Sequence, residues 1–264
     1  MRFGKKSFLV LALSLGVGLG AYTGATASDH SHGGKSHHGH WTYEGESGPA
    51  HWGDLSHEYS ACSKGQSQSP IDISGTSEKD VKDVAFSYGP SKINIVNNGH
   101  TVQVNYDKGS SITVDGVGYD LLQFHFHTPS EHKVGGKTFD TEMHLVHKSK
   151  DGALAVVGVL IEKGAANPAF NDVWAHLPKH AGHKESVAAS VNVDDLLPKD
   201  RSSYRYSGSL TTPPCSEHVS WIVLKTPVEL SAAQVDKLHA ILKDNNRPVQ
   251  PVNTRKVVSD TASN

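Results

Sequence analysis

From residue 41 onward, apolar and polar positions repeatedly alternate with the period of two that a half-buried strand requires. The stretches "INIVNNGHTVQVNY", "SITVDG", "YDLLQFHFH", "EMHLVHKS", "ALAVVGVLIE" and "VSWIVLK" read as strands, separated by Gly, Asp, Asn and Pro turn residues. Ala153 to Ile161 is continuously apolar, as expected of a central strand covered on both faces. Two stretches switch to helical spacing. Asn167 can cap a helix with Pro168 at its first position, placing Phe170, Val173, Trp174 and Leu177 on one face. Ser231 and Gln234 form a capping-box pattern, followed by Val235, Leu238, Ile241 and Leu242. The expected fold is mainly β (α+β): a single domain on a large, twisted, mostly antiparallel sheet with a few short surface helices.

The N-terminus breaks this pattern. Arg2, Lys5 and Lys6 precede an apolar run from Phe8 to Leu19, and "ATA" at residues 25–27 is a small-residue cleavage site. Residues 1–27 therefore read as a secretory signal; the alternative, a membrane anchor, is too short for the roughly 20 residues a span needs. Residues 28–40, "SDHSHGGKSHHGH", lack aliphatic side chains and should be a disordered tail. The tail is either a weak metal-capturing segment or a solvated linker. Residues 41–260 form the expected folded domain, in a periplasmic or secreted protein with no membrane anchor after cleavage.

Composition narrows the picture in two places. The formal net charge of -2 gives no reason to expect nucleic acid or an anionic membrane as partner. The chain has only two cysteines, Cys62 and Cys215, and an oxidising compartment lets them pair; the alternative is two separate buried thiols.

Eighteen histidines stand out. In "LLQFHFH", alternation puts Gln123, His125 and His127 on one face of a strand and Leu122, Phe124 and Phe126 on the other. A hairpin turn at Gly135-Gly136 would bring the next strand back so that His127 faces His144. His144 shares its face with Glu142 and Val146, while Met143, Leu145 and His147 face away. Three neutral imidazoles with no fourth protein ligand suit a transition metal at a catalytic site. Gln123 can orient His125, and Glu142 can orient His144, by accepting the second ring N–H.

At this point the sequence resembles the α-class carbonic anhydrases. "QFHFHTPSEH" and "EMHLVH" match that family's ligand strands, and "GSLTTPPCSE" matches the loop over its metal. "QSPIDI", "NNGHTVQV" and "NNRPVQP" match further segments in the family's order, from about Trp41 to Val258. "HFHTPSEH" points to the bacterial and plant branch.

The resemblance implies that His125, His127 and His144 hold Zn²⁺ and that a zinc-bound hydroxide attacks CO2 to give bicarbonate. Thr211 would orient the hydroxide by passing its own proton toward an ionised Glu131. Thr212 and the Thr211 backbone N–H would contact the substrate, and Val146, Val156, Leu210 and Trp221 would wall its pocket. His100, in "NNGH", matches the proton-shuttle position and is of a residue type that titrates near neutrality. His132 and His147 match structural histidines rather than ligands. A homodimer is allowed for, though nothing in the sequence selects it. Two rival readings are a zinc buffer without catalysis, which has no need of Thr211, Glu131 or an open coordination position, and a catalytically dead relative that binds a partner; such relatives usually lose a ligand histidine, and here all three are present.

Overall fold

The computed structural model describes residues 39–260, so the expected signal segment and residues 28–38 of the tail lie outside the described residues. Twelve strands form one mixed, twisted sheet. Its middle is the strand Leu154–Lys163, which pairs antiparallel with Thr141–Ser149 on one side and parallel with Glu217–Leu230 on the other. Thr141–Ser149 pairs in turn with Val117–His127, and that strand pairs with Val102–Asn105. Most pairings are antiparallel, as expected, but the long parallel pair lies at the centre of the sheet.

Alternation along the central strand separates two apolar layers. Ala155, Val157, Val159 and Ile161 join the larger cluster, with Phe124, Phe126, Met143 and Leu145. Val156 and Leu160 point the other way, toward Trp221, Val223 and Tyr206. Each large apolar side chain buried this fully contributes about 1.5–3 kcal/mol. The sheet is thus stiff where the two-histidine strand crosses it.

Both helical patterns are realised. Asn167 caps a 3-10 turn, Pro168–Phe170, by accepting from the Ala169 N–H, and Asn171–Ala175 continues as an α-helix. Phe170, Val173, Trp174 and Leu177 are all buried, though Leu177 lies beyond the helix end. Ser231 and Gln234 form the reciprocal capping box of the helix Ala232–Leu242. No helix among the described residues is long and apolar enough to cross a membrane.

Two details correct the sequence reading. The Gly135-Gly136 turn forms and pairs Lys133 with Thr138, but those residues belong to a separate three-stranded sheet. Between it and the main sheet, the irregular segment 128–132 on one side and residues 139–140 on the other are unequal. The register of the main strands slips by two, so that His144 faces His125 and Glu142 faces His127. An even slip preserves the face, which is why all three imidazoles still meet. The second correction concerns Leu122. A bulge between the Val146–Gln123 and His147–Leu121 pairs leaves it without a partner on the strand Thr141–Ser149. Leu121 takes the core position at 3% exposure and Leu122 turns outward at 44%.

Candidate metal centre and active site

Two rows of directly paired residues build the site. One runs Gln103–His125–His144–Gly158–Val223 across five strands. The next runs Gln123–Val146–Val156–Trp221 on the same face. The imidazoles therefore stand on a rigid pleated floor beside an apolar patch that includes Val156 and Trp221, with Val146 and Leu210 packed against it.

The hydrogen bonds fix which ring nitrogen of each histidine is free. His125 Nδ1–H donates to Gln123 Oε1 at 2.8 Å, as the sequence reading expected. His144 Nε2–H donates to Glu142 Oε1 at 2.9 Å, also as expected. His127 Nδ1–H donates to the Asn245 carbonyl at 2.8 Å, a partner the sequence gave no sign of. All three acceptors are oxygens without a proton to give, so each ring must be the donor. The lone pairs left over are Nε2 of His125, Nε2 of His127 and Nδ1 of His144, and the three residues offer ligand atoms within 4.8 Å of one another. His127 Nε2 is buried without a hydrogen-bond partner. A buried lone pair aimed at two others is the arrangement a metal cation satisfies.

Electrostatics keep these rings in the metal-binding form. Burial lowers His125 well below the usual histidine range, helped by His127 and His144. Burial lowers His127 to about 4 against the pull of the Asn245 carbonyl, and lowers His144 against that of Glu142. All three are neutral at pH 7. Glu142 is the reverse case. Burial alone would raise it, but His132 and His144 outweigh burial and hold it well below the carboxylate range. Its Oε2 accepts the backbone N–H groups of Glu131 and His132 at 2.9 and 2.7 Å. Its Oε1 accepts from both His132 Nδ1 and His144 Nε2.

That geometry gives His132 its role. With Nδ1–H donating to Glu142, its Nε2 accepts from the Tyr206 hydroxyl at 2.6 Å, and Tyr206 accepts from Ser69 Oγ at 2.8 Å. Ser69 Oγ accepts the Ser209 N–H at 3.1 Å. The chain of donors runs one way from the Ser209 backbone to Glu142, where it meets the bond that the His144 ring donates from the other side. Neither His132 nor His147 presents a nitrogen to the three-histidine site; His147 Nε2 meets the Tyr88 hydroxyl on the opposite face.

Glu131 lies on the irregular segment after His127, fully buried. Its Oε1 accepts the Arg247 N–H at 2.8 Å, and the Thr211 side chain helps to lower its pKa. Its Oε2 lies 3.5 Å from His127 Nε2. Burial raises this carboxyl to about 7, against lowering by His144, Arg247 and Thr211. A dication beside it would favour the ionised form.

Thr211 and Thr212 sit on the loop after the strand Ser203–Ser209. That loop is closed by the Leu210 N–H donating to Ser216 O at 3.0 Å and the Cys215 N–H to Thr212 O at 2.8 Å. The Cys62–Cys215 disulfide, spanning 153 residues, anchors it to the N-terminal segment. Gln68 reinforces the anchor by donating to the Cys215 carbonyl at 3.0 Å.

A cavity of about 140 Å³ opens above the histidines, lined by Trp41, Tyr43, His100, Thr101, His125, His127 and Thr212 among others. His100 is half-buried at its rim, stacked on Trp41 with centroids 3.6 Å apart and planes 9° from parallel. Burial lowers its pKa, with His40 adding to the effect. The Tyr43 hydroxyl is buried without a hydrogen-bond partner.

Sequence reasoning missed Asn245, Arg247, Tyr206, Tyr43 and Gly158. The last had a signal, a glycine inside an apolar strand. A Cβ there would stand 3.0 Å from Glu142 Oε1.

Comparison with known proteins agrees with this geometry. A family model described as eukaryotic-type carbonic anhydrase matches residues 47–261. The chain is 48% identical over 222 residues to a carbonic anhydrase of Klebsiella pneumoniae, covering 83% of this chain and 90% of the relative. It is 42% identical over 248 residues to one of Pectobacterium atrosepticum, covering 93% and 98%. Among solved structures, the α-carbonic anhydrase of Thermovibrio ammonificans in complex with the inhibitor sulfanilamide superposes with a TM-score of 0.82 at 47% identity, covering 84% of this chain and 99% of that one. By sequence, fold and the residues gathered at its centre, this chain is a member of the eukaryotic-type carbonic anhydrase family.

Proposed function

We propose that this chain is an exported zinc enzyme that interconverts CO2 and bicarbonate, with His125, His127 and His144 as the ligands. The observation that carries the reading is the trio of neutral imidazoles, two buried and His125 half-buried, whose free nitrogens converge while their other nitrogens are each spoken for. Zinc held there would supply an acidified water as nucleophile, the established chemistry of carbonic anhydrases.

The surrounding residues have distinct tasks. Thr211 would donate a hydrogen bond from its hydroxyl to ionised Glu131, so that its oxygen is left to accept from the attacking water, which turns that water's lone pair toward the carbon of CO2. The apolar wall of Val146, Val156, Leu210 and Trp221 receives CO2, which has no dipole and makes weak hydrogen bonds. Thr212 and the Thr211 N–H meet the charged product. His100 carries the released proton to solvent: the other histidines near the nucleophile are fixed by metal or by Glu142, and an imidazole titrates in the required range. The disulfide and the signal-like N-terminus support a periplasmic or secreted location.

A zinc buffer would use the three imidazoles but leaves the buried Thr211–Glu131 pair without a purpose. Chelation decides between them. The mature protein should hydrate CO2, lose that activity when zinc is removed, regain it when zinc is restored, and be inhibited by sulfanilamide. Stoichiometric zinc without CO2 hydration would overturn the reading.

A further inference from the structure

Every polar group of Asn245 is engaged, and its partners belong to two parts of the site. Its backbone carbonyl accepts from His127 Nδ1–H at 2.8 Å, and its N–H donates to Thr128 O at 3.2 Å. Its side-chain oxygen accepts the Thr128 N–H at 2.8 Å. Its side-chain nitrogen donates to two carbonyls at 3.0 Å each, those of Phe126 and His100. The residue is 2% exposed, so none of these bonds is shared with bulk water. One amide therefore grips the strand that carries His125 and His127 and, with the same nitrogen, the backbone of the residue assigned as proton carrier.

The other end of His100 is held as well. Its N–H donates to Asn98 Oδ1 at 2.9 Å, and that oxygen also takes the Thr101 N–H. Thr101 Oγ1 donates to the same Phe126 carbonyl at 2.6 Å. With its N–H and C=O both pinned, His100 keeps only its side-chain torsions, and its ring rests on Trp41. A proton carrier that reaches the nucleophile through bridging water needs a fixed base and a ring that can turn.

We infer that the Asn245 side chain is the positioning residue that sets the separation between the proton-carrying His100 and the metal-ligand strand, so that it governs proton release rather than attack on CO2. The inference rests on the reading of His100 as proton carrier. Attack on CO2 depends on the ligands and on Thr211, and the backbone carbonyl that orients His127 survives any substitution at 245.

The experiment is a cycle of Asn245→Asp, His100→Ala and the double variant, each loaded with zinc. Aspartate keeps the oxygen that Thr128 needs and removes both donors to His100 and Phe126. Metal analysis should give one zinc per chain in every variant. In weak buffer, kcat of Asn245→Asp should fall about fivefold or more, as expected when a reacting group is displaced by a fraction of an ångström. Its kcat/KM should stay within about threefold of the parent, and high imidazole should restore turnover. The double variant should be no slower than His100→Ala, because the two changes act through one group. In the zinc-free protein, the His100 ring protons, shifted upfield by the Trp41 face, should move toward the position of free histidine in Asn245→Asp.

Equal losses in kcat and kcat/KM, or no loss in either, would overturn the inference while leaving the shuttle in place. A His100→Ala protein that turns over like the parent would instead remove the shuttle reading, and the inference with it. Should Asn245→Asp not fold, Asn245→Ala removes the same donors without adding a charge or a new donor and carries the same cycle.

Discussion

Glu142 and His144 lie two apart on one strand and are joined by a 2.9 Å hydrogen bond from His144 Nε2 to Glu142 Oε1. The bond leaves Nδ1 of His144 free to meet a metal, whereas His125 and His127 leave Nε2 free. Glu142 in turn is fixed by two backbone N–H groups and by His132. The carboxylate is therefore a rigid template for one ligand, held from both sides in a fully buried setting.

Glu142→Gln should break this template. An amide nitrogen placed against either ring N–H or either backbone N–H sets donor against donor. Zinc affinity should fall by about 10–100-fold, the usual cost of losing a partner that orients a metal ligand. Competition titration with a chelator would measure it. Unchanged affinity would mean that Glu142 does not orient His144.

The disulfide makes a second prediction. It closes a long loop, for which chain entropy allows a stabilisation of up to about 5 kcal/mol. It also anchors the segment that presents Thr211 and Thr212, through the bond between Cys215 N–H and Thr212 O. Mature oxidised protein should show no free thiol on alkylation under denaturing conditions, and reduction should lower both the melting temperature and kcat/KM. Two alkylatable thiols in native protein, or an unchanged melting temperature after reduction, would contradict this.

The third prediction follows from His147, which burial lowers to about 4. In the unfolded chain it titrates near 6.5. Between these values the unfolded state binds more protons than the folded one, so the contribution of His147 to stability is present above pH 6.5 and is lost as pH falls toward 4. Glu131, raised to about 7, runs the opposite way above its unfolded value, so the parent curve alone is mixed. The difference between parent and His147→Leu isolates the histidine. Urea midpoints across this range should decline less steeply with acid in the variant, by about one proton's worth of slope. Parallel curves would show that His147 is not held neutral.

Much of this site was legible because its chemistry follows strand alternation. His125, His127, His144, Gln123 and Glu142 lie on one face by parity alone, and parity survives the two-residue slip that moved His144 from His127 to His125. The register itself was not legible, because the segment from Thr128 to His132 loops through side-chain bonds that no periodicity encodes, such as Phe139 N–H to Ser130 Oγ at 2.9 Å. Leu122 was misassigned because a bulge leaves no mark in an apolar run. The edge strand Lys184–Val191 escaped notice because most of its residues are small or polar and at least partly exposed, and the strand Ser203–Ser209 because its sequence, SYRYSGS, has no aliphatic residue although most of it is buried. Asn245 and Tyr206 act over separations of more than seventy residues, through contacts that only the folded chain creates.

The central claim is that three imidazoles, from His125, His127 and His144, hold one zinc ion with an open fourth position. X-ray absorption at the zinc edge of the mature, zinc-loaded protein tests it most directly, with His144→Ala as control. The account predicts one zinc per chain, four-coordinate, with three imidazole nitrogens at about 2.0–2.1 Å and one further light atom, and loss of most bound zinc in the variant. Sulfur ligation, six-coordinate oxygen ligation, or full zinc occupancy in His144→Ala would contradict it.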